Sequence, residues 1–318
     1  MKTFFEIKPG LLKRSSLALG FFDGVHPGHQ AVIKKAVDEA IRQNATPALI
    51  TFKEHPRALT LGKSPPLLSM PEQRLEVAEE LGIEAALLLS FTEDLCRLSP
   101  EDYVQQVLVD CMGACSLSVG FNHRFGRNRV GTPEILAELG KSMGFGVHVA
   151  SEIMLDGLPI SSSRIREALA QGDVELCKRL LGRAYSITGI VERGDGRGKS
   201  IGFPTANTGT PEELILPALG VYSGYAKLEN GKTYPCVINV GLRPTFGQHT
   251  VPRTEVHIFD FNADIYGQRL SVKFMHFIRP EQRFSGVDEL KNQILKDCEF
   301  ARKQLALESH GAAPHQAL

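Results

Sequence analysis

The feature that most constrains the fold of this chain is a change of hydrophobic pattern near residue 183. Before it, apolar runs such as 16–19 alternate with segments of helical spacing such as 28–44, which predicts a mostly parallel sheet with helices on both faces. After it come short β-rich runs separated by Gly, Asn and Pro, with a hairpin turn at 229–232 and one helical segment over 287–307. The second half is therefore predicted to be a small antiparallel barrel closed by a C-terminal helix.

The length and composition of the chain suit this division. Its 318 residues correspond to about two domains of ordinary size. Hydrophobic residues make up 42% and charged residues 23%, which is typical of a globular protein. We predict an α/β domain over 1–183, a barrel domain over 184–308 and a disordered tail over 309–318.

Charge and cysteine usage narrow the expected surroundings of the chain. The 36 Lys and Arg residues balance the 36 Asp and Glu residues, so the chain has no net positive charge that would attract a polyanion. No nucleic-acid partner is therefore expected. No apolar run reaches the ~18 residues that cross a bilayer, so no membrane partner is expected. The first residues lack a signal-peptide core, so export is not expected. The six cysteines are scattered, which favours reduced thiols and a cytoplasmic location over a zinc site. No obligate protein partner is evident.

The first candidate site is the segment 19–29, Leu-Gly-Phe-Phe-Asp-Gly-Val-His-Pro-Gly-His, which runs from a predicted strand into a predicted helix. A helix start at the carboxyl end of a strand is a common place for phosphate binding, and the glycines of the segment allow close approach of the backbone. His26 and His29 lie on one side of the first helical turn and can donate hydrogen bonds to a phosphoryl group in transfer. Half of a zinc site, or an ordinary helix start, are the alternatives.

A second segment, 160–166, places three serines before a helix. Hydroxyl groups there can simply cap the helix, which is the plainer interpretation. The functional interpretation adds Arg166, with Arg164 as a second candidate, as a clamp on the β- and γ-phosphates of a nucleotide.

The glycine-rich segment 193–207 is not a P-loop, because Arg193 replaces the required Gly and Pro204 prevents an immediate helix. On its glycine content alone it is a flexible hairpin tip. A flexible basic loop can also fold over phosphates through backbone N–H groups around Gly198 and a side chain such as Arg197 or Lys199.

Three polar residues of the second half suit a phosphate-bound metal ion and its chemistry. Thr205 and Asn207 are two residues apart, so in an extended chain both oxygens face the same side, as Mg²⁺ requires. Glu255 begins a predicted strand. The alternative for Glu255 is a solvated carboxylate at a strand end.

Four segments of the first half, in order, resemble the adenylyltransferase module of the bacterial bifunctional riboflavin kinase/FMN adenylyltransferase family, which belongs to the HxGH nucleotidyltransferases. They are GFFDGVHPGH at 20–29, TFKEHP at 51–56, VGFNHRFG at 119–126 and ISSSRIR at 160–166. The resemblance implies that His26, His29 and Arg166 are catalytic. It also implies an ATP-binding set, which is Gly20, Phe22, Asp23, Gly24, Gly28, Asn122, Ser162 and Ser163.

Segments of the second half resemble the riboflavin kinase module of the same family: GFPTAN at 202–207, GVY at 220–222, NVGLRPTF at 239–246 and EVH at 255–257. By this resemblance Thr205 and Asn207 ligate magnesium-bound ATP. Glu255 is then the general base toward the 5′-hydroxyl of the ribityl chain. The fold implied is a Rossmann-like α/β nucleotidyltransferase domain followed by an antiparallel β-barrel riboflavin-kinase domain with a C-terminal helix.

Together the resemblances imply two reactions: riboflavin and ATP give FMN and ADP, then FMN and ATP give FAD and pyrophosphate. Flavin is substrate and product, and Mg²⁺ accompanies ATP. Three aromatic residues are candidates for gripping the isoalloxazine ring: Phe121, Phe125 and Tyr222.

Two other functions stay open. A class I aminoacyl-tRNA synthetase relative would share the HxGH site but needs a Lys-Met-Ser-Lys-Ser loop, of which residues 140–144 are only a scramble. A flavin-binding protein without catalysis would keep the barrel alone.

Overall fold

The computed structural model describes residues 1–55, 64–194, 196–244 and 250–311. The chain divides into two compact units, Met1–Ser162 and Ser163–Leu318.

The first unit is built on a parallel sheet, as the sequence predicted. Among the described residues its six strands are β1 (Lys2–Phe4), β2 (Ser15–Leu19), β3 (Thr46–Phe52), β4 (Ala85–Leu89), β5 (Ala114–Gly120) and β6 (Gly146–Ala150). They lie in the order β1-β4-β3-β2-β5-β6. The chain winds outward from β2 in both directions, so the carboxyl ends of β2 and β5 form the switch point where ligands of such sheets bind.

Each face of this sheet has its own core, because alternate residues of a strand face opposite sides. Leu17 and Leu19 belong to one core, and Ala18 belongs to the other together with Ile33 and Ala36 of the helix α1 (Pro27–Gln43). The helical spacing of apolar residues in this segment therefore correctly predicted a helix that lies on the sheet.

The remaining elements of the first unit connect these strands. They are α2 (Pro71–Glu80), α3 (Glu93–Arg97), α4 (Pro100–Tyr103), a π-helical segment (Val104–Cys111), a 3₁₀ turn (Arg127–Arg129), α5 (Pro133–Met143) and the hairpin of β7 (Met154–Leu155) and β8 (Leu158–Pro159).

The second unit is a closed antiparallel barrel with helices at its surface. Its elements are α6 (Ser162–Ala170), α7 (Val174–Leu181), β9 (Ser186–Glu192), α8 (Arg197–Ser200), β10 (Ala206–Gly209), β11 (Gly220–Leu228), β12 (Thr233–Pro244), β13 (Thr250–Ile258), β14 (Arg269–Pro280) and α9 (Val287–Gly311). The strands close in the order β10-β13-β12-β11-β14-β9. The helix α9 covers part of the outer barrel face, where Cys298 and Ala301 pack on Val221 and Val237.

Two predicted limits differ from the observed elements. The helix α9 continues to Gly311, so residues 309–311 are helical and not part of a disordered tail; residues 312–318 lie outside the described part. The second compact unit begins at Ser163, earlier than the predicted boundary after residue 183, so most of α6 and all of α7 belong to the same unit as the barrel. The helix α7 packs on β14. That the two predicted functional domains meet after residue 183 stays a prediction.

A buried carboxylate ties α1 to β6. Glu39 accepts hydrogen bonds from Arg42 Nε at 2.8 Å and Lys35 Nζ at 2.9 Å, and His148 Nε2 on β6 lies 3.5 Å from its Oε1. The Arg42 and Lys35 hydrogen bonds lower the pKa of Glu39 from its usual 4.5 to about 2. Because the folded state favours the ionised form, this stabilisation is complete above pH 4.5 and is lost as the pH falls toward 2.

We expect Glu39→Gln to lower the free energy of unfolding at neutral pH by about 1–3 kcal/mol, since charge-assisted hydrogen bonds are lost. The difference from the unchanged protein should shrink as the pH falls from 4.5 toward 2. Urea unfolding followed by circular dichroism at several pH values measures it, with Asp38→Asn, an exposed neighbour on the same helix, as the control. A difference that is independent of pH contradicts this account of Glu39.

Candidate active sites

The loop between β2 and α1 carries the first candidate site. Its backbone turns sharply, with φ of +55° at Phe22, +79° at Gly24 and +40° at Val25. A β-branched residue rarely adopts a positive φ, and such conformations persist where the surrounding structure holds them, often at functional sites. The helix α1 then begins at Pro27 with His26 as its N-cap residue.

The Asp23 side chain holds this loop in place. It is buried, and its carboxylate accepts hydrogen bonds from the backbone N–H groups of Leu68 at 2.9 Å and Ser69 at 3.1 Å. The Ser69 hydroxyl accepts in turn from the Gly24 N–H at 2.9 Å. Asp23 and Gly24 are not among the described residues that line the cavity of this site, so their contacts give them a role in shaping the loop.

A buried cation fixes the start of the same loop. Arg74 donates to the carbonyl oxygens of Phe21 at 2.8 Å and Lys53 at 3.1 Å, and its guanidinium lies 4.4 Å from the centroid of the Phe21 ring. The Thr51 hydroxyl donates to the same Phe21 carbonyl at 2.9 Å. Burial lowers the pKa of Arg74 to about 10, so the group stays charged.

The two histidines predicted as catalytic come together at the start of α1. Their rings are stacked, with centroids 3.7 Å apart and an angle of 21° between the planes, and Phe22 packs edge-on against His29. His26 is buried and His29 is half-buried. The first turn of a helix attracts an anion through its free N–H groups and its dipole. The pair can therefore present imidazole donors to a bound phosphoryl group.

A cavity of about 330 Å³ opens beside these rings, at the carboxyl ends of β2, β5 and β6. The predicted site residues that line it are Gly20, Phe22, His26, Gly28, His29, Phe121, Asn122 and Ser162. Phe125, predicted as a flavin contact, instead lies in the core of the sheet beside Tyr103. Ser162 also donates its hydroxyl hydrogen to the Asp23 carbonyl at 3.0 Å. Ser163 and Arg166 lie on α6, in the second compact unit.

The cavity wall includes a histidine that the sequence analysis did not select. Burial, together with the neighbouring Arg124, lowers the pKa of His123 to about 4, so this imidazole is neutral at neutral pH. Its ring stacks on Phe125, with centroids 5.9 Å apart. A neutral imidazole therefore lies next to Asn122 in the wall of the cavity.

In the second unit, the register of the strands brings three polar residues into one row. Glu255 on β13 pairs with Asn207 on β10 and with Asn239 on β12. Paired residues project to the same face, with Cβ atoms about 5 Å apart. Thr254 and Val256 on either side are fully buried, so Glu255 lies on the outer face of the barrel.

One cavity adjoins this row, and a second lies near it beside Thr205. The helix-side cavity, about 340 Å³, is lined by Glu255, Asn239 and residues of α9. The loop-side cavity, about 250 Å³, is lined by Pro204 and residues 261–266. Thr205 lines both cavities.

The glycine-rich loop packs closely on the predicted metal ligands. A Cβ added at Gly194 would overlap the side-chain amide of Asn207, and one added at Gly198 would overlap the Phe203 carbonyl and lie near the Thr205 hydroxyl. Gly198 also lines the helix-side cavity, and its carbonyl accepts from the Phe203 N–H at 2.8 Å. Glycine is thus required at two positions for close approach.

An ion pair that the sequence analysis missed joins the barrel to α9. Arg279 Nη2 lies 2.8 Å from Asp297 Oδ2, and Gln293 donates to Asp297 Oδ1 at 2.9 Å. Asp297 is buried, and both members of the ion pair line the helix-side cavity. Arg279 and Asp297 are 18 residues apart, and no hydrophobic periodicity or motif in the sequence indicates that they meet. By contrast, Asn239 and His257 of this cavity lie within segments that already resembled the kinase module.

The predicted flavin contact Tyr222 and the predicted phosphate contacts of the glycine-rich loop remain to be placed. Tyr222 is fully buried, packs edge-on against Phe274 and lines neither of the two barrel cavities in the described part. Tyr222 therefore lies in the barrel core. Its buried hydroxyl is satisfied there by a hydrogen bond that it donates to the Ala218 carbonyl. The side chains of Arg197 and Lys199 lie outside the described part, as do residues 245 and 246 at the end of the NVGLRPTF segment.

Comparison with known proteins assigns a class to each unit. The family model described as FAD synthetase matches residues 9–164, and the one described as riboflavin kinase matches residues 181–305. The fold and the two sites thus define a nucleotidyltransferase and a kinase joined in one chain.

Curated relatives match nearly the whole chain. The bifunctional riboflavin kinase/FMN adenylyltransferase of Bacillus subtilis is 39% identical over 290 residues, covering 89% of this chain and 90% of the relative. The protein of the same name from Pseudomonas fluorescens is 36% identical over 293 residues, covering 92% and 93%. The chain belongs to the bifunctional riboflavin kinase/FMN adenylyltransferase family. Membership favours the flavin-synthesising enzyme over both the aminoacyl-tRNA synthetase relative and the flavin-binding protein without catalysis.

A solved structure supports the fold along almost the full length. A crystal structure described as a macrolide-efflux protein from Streptococcus pneumoniae matches with a TM-score of 0.86 at 30% identity, covering 95% of this chain and 99% of that one. Within the described residues, no helix has the length and apolar character needed to cross a membrane.

We expect Gly194→Ala to reduce riboflavin kinase activity about tenfold or more, because the added methyl group displaces the Asn207 amide. FAD formation from supplied FMN should not change. The matched control is Gly286→Ala, where an added Cβ meets no atom within 4 Å. Kinase activity equal in both variants would contradict the packing of the loop on Asn207.

Proposed function

We propose that this chain makes FAD from riboflavin in two ATP-dependent steps, each at its own site. In the barrel, riboflavin takes the terminal phosphoryl group of ATP, giving FMN and ADP. In the first unit, the FMN phosphate attacks the α-phosphorus of a second ATP, giving FAD and pyrophosphate. One observation carries the proposal: His26 and His29 line one cavity, and Glu255 and Thr205 both line the helix-side cavity of a different compact unit. We place the division between the activities at residues 183 and 184.

The helix-side cavity suits the flavin. Its apolar walls include Phe203, Phe284 and Leu290, which fit a planar aromatic ring. It is also lined by the carboxylates of Glu255 and Glu281, and the arginine in its wall, Arg279, is paired with Asp297, so the negative charge of the cavity disfavours a polyphosphate. A flavin ring held there brings its ribityl chain toward Glu255.

The loop-side cavity suits the nucleotide. Its wall includes Phe261, Ile265 and Tyr266, which offer an apolar surface to a base. The Arg193 guanidinium lies 4.9 Å from the centroid of the Tyr266 ring and supplies positive charge beside this cavity. Because Thr205 lines both cavities, the phosphoryl group passes from nucleotide to flavin at Thr205.

Magnesium is part of this proposal. Thr205 and Asn207 offer a hydroxyl and an amide oxygen, which are neutral oxygen donors of the type Mg²⁺ accepts when phosphates and water complete its coordination. Asn207 is buried beneath Gly194, which restricts where its amide group can lie. When bound, the ion neutralises charge on the phosphates.

Glu255 acts as the general base of the kinase step. Its carboxylate takes the proton of the ribityl 5′-hydroxyl, the hydroxyl oxygen bonds to the γ-phosphorus, and the bond to ADP breaks. Strand pairing sets Glu255 between Asn207 and Asn239 on the outer face of the barrel.

The adenylyltransfer step needs no proton abstraction, because the FMN phosphate is already ionised. Here His26, His29 and the first N–H groups of α1 stabilise the charge on the α-phosphoryl group. Asn122 and Ser162 in the wall contact the nucleotide, and Phe121 contacts the flavin. The sequence resemblance assigns Ser163 and Arg166 to the departing pyrophosphate. All six cysteines are free, which supports the predicted cytoplasmic location.

We expect His29→Ala to make FMN accumulate while FAD formation falls roughly 100-fold or more, because one donor to the transferring phosphoryl group is lost. Separation of flavins after incubation with riboflavin and Mg-ATP measures both products.

We expect Glu255→Gln to reduce FMN formation about 100-fold or more while leaving FAD formation from supplied FMN intact, since only the general base is removed. The variant is isosteric and serves as the reciprocal control for His29→Ala. If either folded variant blocks both steps equally, the two-site assignment is wrong.

A further inference from the structure

A short segment of chain, Phe203–Pro204–Thr205, separates the two barrel cavities. Phe203 lines the helix-side cavity, Pro204 lines the loop-side cavity and Thr205 lines both. We call this segment the dividing strip. Its position decides where Thr205 lies between the two proposed substrates.

The strip has few backbone restraints of its own. The strand β10 begins only at Ala206, so the strip precedes the ladder of hydrogen bonds to β9 and β13. Proline has no N–H to donate, and the Phe203 N–H bonds to Gly198 in the glycine-rich loop. The strip therefore depends on contacts from side chains.

One imidazole makes two such contacts. His257 Nδ1 lies 2.8 Å from the Pro204 carbonyl oxygen, and the His257 ring packs edge-on against Phe203 with centroids 5.5 Å apart. A carbonyl oxygen only accepts, so Nδ1 carries the hydrogen and donates. Because His257 and Glu255 are two residues apart on β13, both side chains project into the helix-side cavity.

We propose that His257 is a positioning residue of the kinase step: through its hydrogen bond to the Pro204 carbonyl it fixes the dividing strip, and so places the Thr205 hydroxyl between nucleotide and flavin. This inference rests on the proposed function of the barrel. It assigns His257 no contact with the reacting atoms. Loss of the bond should weaken the handling of Mg-ATP more than the binding of riboflavin, since supporting contacts of this kind are worth about 10–100-fold in metal affinity or activity.

Two substitutions separate the hydrogen bond from the ring contact. His257→Phe keeps a ring against Phe203 and removes the donor. His257→Asn removes the ring and keeps a side-chain N–H close to the position of Nδ1. His276→Ala is the matched control, because this β14 histidine lies in the same barrel and lines neither cavity in the described part.

The experiment measures kcat, the KM values for riboflavin and Mg-ATP, and the Mg²⁺ concentration at half-maximal kinase rate, with circular dichroism as the check on folding. We expect His257→Phe to lower kinase kcat/KM for Mg-ATP about tenfold or more and to raise the Mg²⁺ requirement. Because His257 also lines the cavity proposed for riboflavin, the riboflavin KM should change too, but by a smaller factor than the KM for Mg-ATP. His257→Asn should recover most of that loss. FAD formation from supplied FMN should be the same in all variants.

The proposal is overturned if His257→Phe retains full kinase activity while His257→Asn loses it, because the ring alone then matters. Equal losses in both variants, or a loss no larger than in His276→Ala, also overturn it. Glu255→Gln separates this failure from that of the proposed function. If Glu255→Gln still forms FMN normally, the barrel site itself is wrong; if it does not, only the role of His257 is rejected.

Discussion

The pairing of β13 between β10 and β12 is the constraint on which the barrel site depends. It sets Glu255 beside Asn207 and Asn239, three residues that are far apart in the sequence. A shift of one residue in this register would turn Glu255 into the barrel and bring Val256 to the surface. The closed order of strands, with Thr254 and Val256 fully buried on either side, opposes that shift through loss of core packing.

The first unit reaches a comparable result by a different route. Its two histidines are neighbours in sequence, and the work of the fold is to hold the loop before them in a sharply turned conformation. Asp23 does so through the backbone of Leu68 and Ser69, and Arg74 does so through the Phe21 carbonyl. Buried polar groups with hydrogen-bond partners thus place the start of α1 at the end of β2.

The sequence predicted those elements whose signals are local. Helix α1 spans Pro27–Gln43, where the sequence predicted a helix over 28–44, and the turn at 229–232 contains Gly231 with φ of +83°. Strand β1 was missed because it is three residues long and is stabilised by pairing with β4. The site residues Arg279 and Asp297 were missed because only the fold brings them together. Asn239 lies in a segment that resembled the kinase module, but only strand pairing shows that it stands beside Glu255. Phe125 and Tyr222 had the aromatic character of flavin contacts, but aromatic side chains serve cores equally well.

The central claim is that the chain holds two nucleotide sites that work independently. Isothermal titration of the full chain with a non-hydrolysable ATP analogue in the presence of Mg²⁺ tests it most directly. The account predicts two molecules bound per chain. One molecule bound per chain at saturation would contradict it, because a single site cannot serve cavities in two separate units.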